Sequence, residues 1–173
     1  MAFAFRTATA ADAAALAEFA ERTFRETFGP DNRPEDMELY IAESYGADHQ
    51  RAEILEPALV TLLAEAGGTL AGFVQLRRGK APACVSGPTP VEIWRFYVDR
   101  SWQGRGLAGR MMAEACAGAR AGGGQTVWLA VWERNARAIA FYRKCGFAVV
   151  GEQPFLLGTD QQNDFVMARG LGA

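Results

Sequence analysis

The sequence holds one histidine, His49, and only three cysteines, Cys84, Cys116 and Cys145. A single histidine disfavours a histidine dyad, a His-rich metal centre and a Ser-His-Asp triad. The cysteines are odd in number and far apart, without metal-ligand spacing. They read as reduced packing thiols of a cytoplasmic protein, and no metal is expected. No run approaches 18 consecutive apolar residues, so no membrane-spanning helix and no membrane partner are expected. The first residues carry Arg6, Asp12 and Glu18, which breaks the pattern of a secretory signal. Excess positive charge is missing too. The formal charge is −2, which argues against a nucleic-acid partner.

What is present fits one globular domain over residues 1–173, with 50% hydrophobic and 22% charged residues. No internal repeat or interdomain linker interrupts it. Charge is segregated along the chain. Glu18 to Glu56 holds eleven Asp/Glu against four Lys/Arg, and the remainder holds fourteen basic against nine acidic residues. Either these are solvated helix faces, or a cation meets the first part and an anion the second.

The periodicity predicts a strand over 3–8 and then a helix from an N-cap at Thr9 to Phe28, with Leu16, Phe19, Ala20 and Phe24 on one face. Two short helices follow from Pro34, separated at Gly46. Residues 59–65 and 69–78 read as a hairpin across Gly67-Gly68, and VEIWRFYVD, 91–99, is the strongest strand. A helix over 106–123, a strand over 125–132 and a helix from Asn135 to Gly146 come next. A closing hairpin is expected across Thr159-Asp160. The order defines a mixed α/β domain with one main sheet.

Residues 102–110, WQGRGLAGR, place glycines between a strand and a helix. The first amides of a helix have no intrahelical acceptor and lie at the positive end of its dipole. Gly104 and Gly106 let a phosphate approach without a Cβ in the way. Arg95, Arg100, Arg105 and Arg110 form a basic collar. The segment lacks the Lys-Ser/Thr of a nucleotide P-loop. GRGLAG matches G-x-G-x-x-G literally, but it follows the fourth strand and no acidic ribose ligand lies about twenty residues on, which disfavours a dinucleotide binder.

Gln103-Gly104-Arg105-Gly106-Leu107-Ala108 resembles the (Q/R)-x-x-G-x-(G/A) signature of the GNAT superfamily of acetyl-CoA-dependent N-acetyltransferases. NARAIAFYRKCGF is similar to the family's N-x-x-A-x-x-x-Y-x-x-x-G-F stretch, and the ending PFLLGTDQQNDFVM resembles the polyamine (spermine/spermidine) subgroup. The resemblance implies a mostly antiparallel central sheet flanked by helices and a primary-amine acceptor. It implies acetyl-CoA as co-substrate, with pantetheine along Phe96, Tyr97 and Val98. Pyrophosphate would sit on the amides of residues 103 to 109, with Gly109 among them, and Arg105 and Arg110 would reach the phosphates. Asn135 caps its helix and contacts CoA, Val98 N–H stabilises the thioester oxygen, and Tyr142 is the acid for the leaving thiolate. Glu92 is the candidate base, with a water chain as the alternative. Strand alternation puts residues 92, 94, 96 and 98 on one face. The amine would lie beside the acidic helices, near Glu26, Asp31, Glu35, Asp36 and Glu38, and would be a polyamine or another small cation. A protein N-terminus or lysine is the rival acceptor, and a non-catalytic acyl-CoA-binding module the rival class. The resemblance also allows a homodimer.

Overall fold

The computed structural model describes residues 3–172. Seven strands form one sheet: β1 (Phe3–Thr7), β2 (Leu59–Ala66), β3 (Thr69–Arg78), β4 (Pro90–Val98), β5 (Thr126–Trp132), β6 (Ala148–Leu157) and β7 (Asp160–Gly170). Five helices accompany them: α1 (Ala13–Phe28), α2 (Pro34–Ser44), α3 (Ala47–Leu55), α4 (Leu107–Ala121) and α5 (Ala136–Lys144). The strand order is β1-β2-β3-β4-β5-β7-β6, and β4–β5 is the one parallel pair among the described residues. The expected mostly antiparallel sheet flanked by helices is therefore observed.

The sheet separates two apolar layers. Leu107, Met111, Met112, Ala115 and Ala119 of α4 pack with Ile139 and Tyr142 of α5 on Val74, Ile93 and Leu129. On the other face, Leu16, Phe19 and Phe24 of α1 and Met37 and Ile41 of α2 pack on Leu63, Phe73 and Leu157. Gly72 permits the close approach of α4. A Cβ there would lie 2.6 Å from Met111 Sδ and 2.9 Å from the Tyr97 carbonyl oxygen.

Three local expectations are corrected. Thr9 begins a 3-10 turn, Ala10–Asp12, ahead of α1, and its amide and hydroxyl donate to Asp12 Oδ2 at 2.7 and 2.9 Å. The last hairpin turns at Gly158-Thr159, so Asp160 is already in β7. Gly158 has φ +59° there and lies against the Asp36 backbone. The third correction concerns β4. Gln75 of β3 lies opposite Arg95 and Leu76 opposite Ile93, so Trp94 is an extra, bulged residue. The bulge shifts the parity of everything after it. Val91, Ile93, Phe96 and Val98 face the α4–α5 layer. Arg95 and Tyr97 face the α1–α3 layer with Glu92, whose β3 partner is Arg77. Residues 92, 94, 96 and 98 do not share a face.

Candidate active site

β4 and β5 pair only over Pro90↔Thr126, Val91↔Val127 and Glu92↔Trp128. Beyond that the strands diverge, and a cleft of about 780 Å³ occupies the wedge. One wall is β4 from Ile93 to Val98, and the other is Ala130, Val131 and Trp132 of β5 with Asn135, Ala138 and Tyr142. Which backbone groups enter the wedge follows from strand alternation. The Asp99 amide donates to the Ala71 carbonyl at 2.9 Å, so Asp99 and Tyr97 direct their backbone toward β3. Phe96 and Val98 direct theirs into the wedge. Gln103 Nε2 donates to the Val98 carbonyl at 3.1 Å, which leaves the Val98 N–H as the polar backbone group of that residue. Of the expected trio, Tyr97 departs: its backbone serves β3 and its ring stacks on Phe73 at 5.5 Å, on the opposite face.

The glycine loop closes one end of the wedge. Gly104 and Gly106 have φ of +74° and +83°, conformations that favour glycine, and a Cβ at either would meet nothing within 4 Å. Arg110 is the first residue of α4 whose amide bonds back, to Gly106 at 3.3 Å. The amides of Leu107, Ala108 and Gly109 precede any helical acceptor. The expectation for residues 103 to 109 narrows here, because Gln103 and Arg105 donate their amides to the carbonyls of Arg100 and Trp102.

The basic collar is also redrawn. Arg95 is only 6% exposed. It is ion-paired to Glu53, donates to Gln75 Oε1 at 2.9 Å, and lies over the Trp94 ring at 4.1 Å. The bulge turned it away from the loop. Arg110 packs over Phe3 and Phe5 at 5.4 and 5.2 Å, and Arg105 lies 5.4 Å over Trp102. Arg137 was not singled out in the sequence. It donates to Gln103 Oε1 at 2.6 Å and lines the cleft with Arg100. Its signal was available: it is the second residue of the helix that Asn135 caps.

Asn135 accepts from the Ala138 amide at 3.1 Å, as a cap should. Tyr142 lines the cleft, with its ring edge-on to Phe96 at 6.2 Å and Phe147 at 5.9 Å. Burial holds its phenol well above the ordinary tyrosine pKa, so the group is a proton donor throughout the neutral range. Glu92 also lines the cleft, but its Oε2 accepts from Arg77 Nε at 2.7 Å, and the Arg77 guanidinium lies 4.2 Å over Trp94.

The acidic helices are largely self-neutralised. Arg25 binds Glu21 and Glu38, Arg22 binds Glu26, and Arg33 binds Asp36. Asp36 is buried and accepts from the Thr159 amide and hydroxyl at 2.7 and 2.8 Å, a tie between α2 and the β6–β7 turn. Of the five expected acceptor-side acids, only Glu26 reaches the cleft and Asp31 its outer hollow. That hollow, about 770 Å³, shares Asn32, Trp132, Gln153 and Gln162 with the cleft. It presents Asp31, Glu133, Glu152 and Asp160 against one cation, Arg134. Asp164, in the interior of β7, lines the cleft itself. These C-terminal acids are scattered in sequence, and only strand pairing collects them.

A β4–β5 wedge closed by a glycine loop at a helix N-terminus can seat an extended ligand with an anionic end. The chain matches the Acetyltransferase (GNAT) family over residues 14–147. It is 34% identical over 149 residues, 86% of each chain, to an uncharacterised N-acetyltransferase from the pepI 3′ region of Lactobacillus delbrueckii subsp. lactis. It is 38% identical over 110 residues to the N-alpha-acetyltransferase RimI of Mycobacterium tuberculosis, covering 63% of this chain and 65% of that one. The crystal structure of PaiA N-acetyltransferase from Thermoplasma acidophilum in complex with coenzyme A superposes with a TM-score of 0.80 at 25% identity, covering 98% and 99% of the two chains. The protein belongs to the GNAT acetyltransferase family and is an acyltransferase.

Proposed function

We propose that the protein moves the acetyl group of acetyl-CoA to a primary amine on a small cationic molecule, a polyamine or one like it, by direct attack. The observation that carries this is the continuity of the wedge with the acidic hollow: an acyl donor can enter from the glycine loop and a cation from the β6–β7 side. The free amides at the start of α4 suit a pyrophosphate, and the open space beside Gly104 and Gly106 admits it. Phe96 and Val98 would pair with pantetheine as an added strand. Arg137 and Arg100 line the cleft, Arg105 belongs to the glycine loop itself, and Asn135, which caps α5, would border the donor.

The donor supplies an activated thioester. The chain then has three tasks. Val98 N–H meets the negative charge that develops on the carbonyl oxygen. Tyr142, kept protonated by burial, delivers a proton to the leaving sulfur. The third task is to neutralise an alkylammonium of ordinary pKa about 10.4. Glu92 stands beside the cleft for this, but its carboxylate is already engaged by the Arg77 guanidinium at 2.7 Å.

A protein N-terminus is the second reading, favoured by the stretch shared with RimI. CoA release measured with polyamines, aminoglycosides, amino acids and peptides tests both. The highest kcat/KM is expected for a polyamine. A tenfold preference for a peptide N-terminus would move the acceptor to protein, and tight acetyl-CoA binding without turnover on any amine would leave a binding module.

A further inference from the structure

Asp164 is 7% exposed, and its Oδ1 is buried without a hydrogen-bond partner among the described residues. Leaving a buried carboxylate oxygen unmatched costs stability, so its position calls for a reason. It stands directly opposite Trp132 of β5 on one side and Gln153 of β6 on the other. Trp132 belongs to the β5 wall of the wedge, and the backbone of Asp164 runs one strand spacing, about 4.8 Å, from it. Two residues along β7 on the same face, Val166 is fully buried on one side and Gln162 lines the cleft on the other.

Three carboxylates line the cleft. Glu26 is bound by Arg22 and Glu92 by Arg77, while Asp164 has no ion pair among the described residues. The cations of the cleft are otherwise committed. Arg95 is held by Glu53, and Arg137 lies at the loop end on Gln103. Arg100 is likewise at the loop end, beside Gln103. The phenols of Tyr45, Tyr97 and Tyr142 are raised by burial and stay protonated, and Tyr40 completes the titratable groups of the cleft. Outside it, Glu133 follows Trp132 directly and projects its charge toward Asp164.

Given acetyl transfer to an amine in this wedge, we infer that Asp164 is the base that takes the proton of the acceptor ammonium. The ammonium N–H breaks and its proton moves to the Asp164 carboxylate. The freed lone pair forms the N–C bond at the thioester carbonyl, the C–S bond breaks, and its electron pair stays on sulfur. Tyr142 protonates the sulfur and regains a proton from solvent as the new amide nitrogen loses its second one. Asp164 then returns its proton to water. Two surroundings tune the carboxyl for this: burial first and the Glu133 charge second raise its pKa from 3.8 to about 6. A base in that range is charged at neutral pH and stronger than an ordinary aspartate.

The test is Asp164→Asn in the full chain, assayed for CoA release across pH beside the wild type, with acetyl-CoA affinity measured by calorimetry. kcat should fall at least ~100-fold, acetyl-CoA affinity should stay within about twofold, and the acid limb of the kcat/KM profile near pH 6 should disappear. Asp164→Glu should recover at least tenfold of the loss. An unchanged or higher melting midpoint for Asp164→Asn at pH 8 separates lost chemistry from lost fold. Activity within threefold of wild type, with the acid limb intact, overturns the inference and leaves the acetyltransferase reading standing. So does loss of that limb in Glu92→Gln with its retention in Asp164→Asn. A wild type that acetylates no amine overturns both.

Discussion

Tyr142, proposed as the acid, is first of all a packing residue. Its ring is built into the α4–α5 layer, and that burial fixes the phenol in its protonated form. Tyr142→Phe keeps the ring and removes the proton. Its kcat is expected to fall by ~100-fold, with acetyl-CoA affinity unchanged; an unchanged kcat would remove the acid assignment. That Asn135 and Tyr142 lie together in the cleft was legible because both belong to one local stretch whose spacing carries them. Arg95 was misjudged because a strand sequence gives identity without direction. Asp164 was invisible for a third reason. Nothing in NDFVMAR marks Asp164 as the buried partner of Trp132, a residue more than thirty positions away.

At the scale of elements, the helices and strands followed from periodicity and caps, since their signals are local. The bulge at Trp94 did not, because an extra residue on β4 is defined only by its pairing with β3. The glycine loop was legible, and its two left-handed residues give it a testable signature. Gly106→Ala places a Cβ in open space, so its cost is backbone strain alone. That strain is ~1 to 2 kcal/mol, or a fall of ~2 to 8 °C in melting midpoint. Calorimetry should show weaker acetyl-CoA binding, while kcat at saturating donor is retained.

Over the whole molecule, a single mixed domain was legible from element order, and the mostly antiparallel sheet came through family likeness. Strand order depends on long-range pairing that no local pattern encodes. The charges set a two-limbed pH response. Arg6 holds Asp12, the Thr159 amide and hydroxyl hold Asp36, and Arg25 holds Glu38 below the ordinary values of 3.8 and 4.5. Their contribution is complete above the unfolded pKa and is lost as pH falls below about 4. Asp164 acts in the opposite sense. Its folded pKa of about 6 exceeds 3.8, so the unfolded chain binds fewer protons in that window and stability rises as pH falls from 7 toward 4. Denaturant melts should give a maximum between about pH 4 and 5, and Asp164→Asn should flatten the limb above it.

The divergence of β4 and β5 has a consequence for how freely such a chain can vary. Phe96 and Val98 address the wedge through their peptide groups, while their side chains answer to the core behind them. Every amino acid except proline offers the same peptide N–H and carbonyl. A site written in main-chain geometry tolerates turnover of the letters that spell it, so long as the sheet stays parted and glycine stands at the loop. The acceptor side is written in side chains, and there each substitution changes what can be recognised.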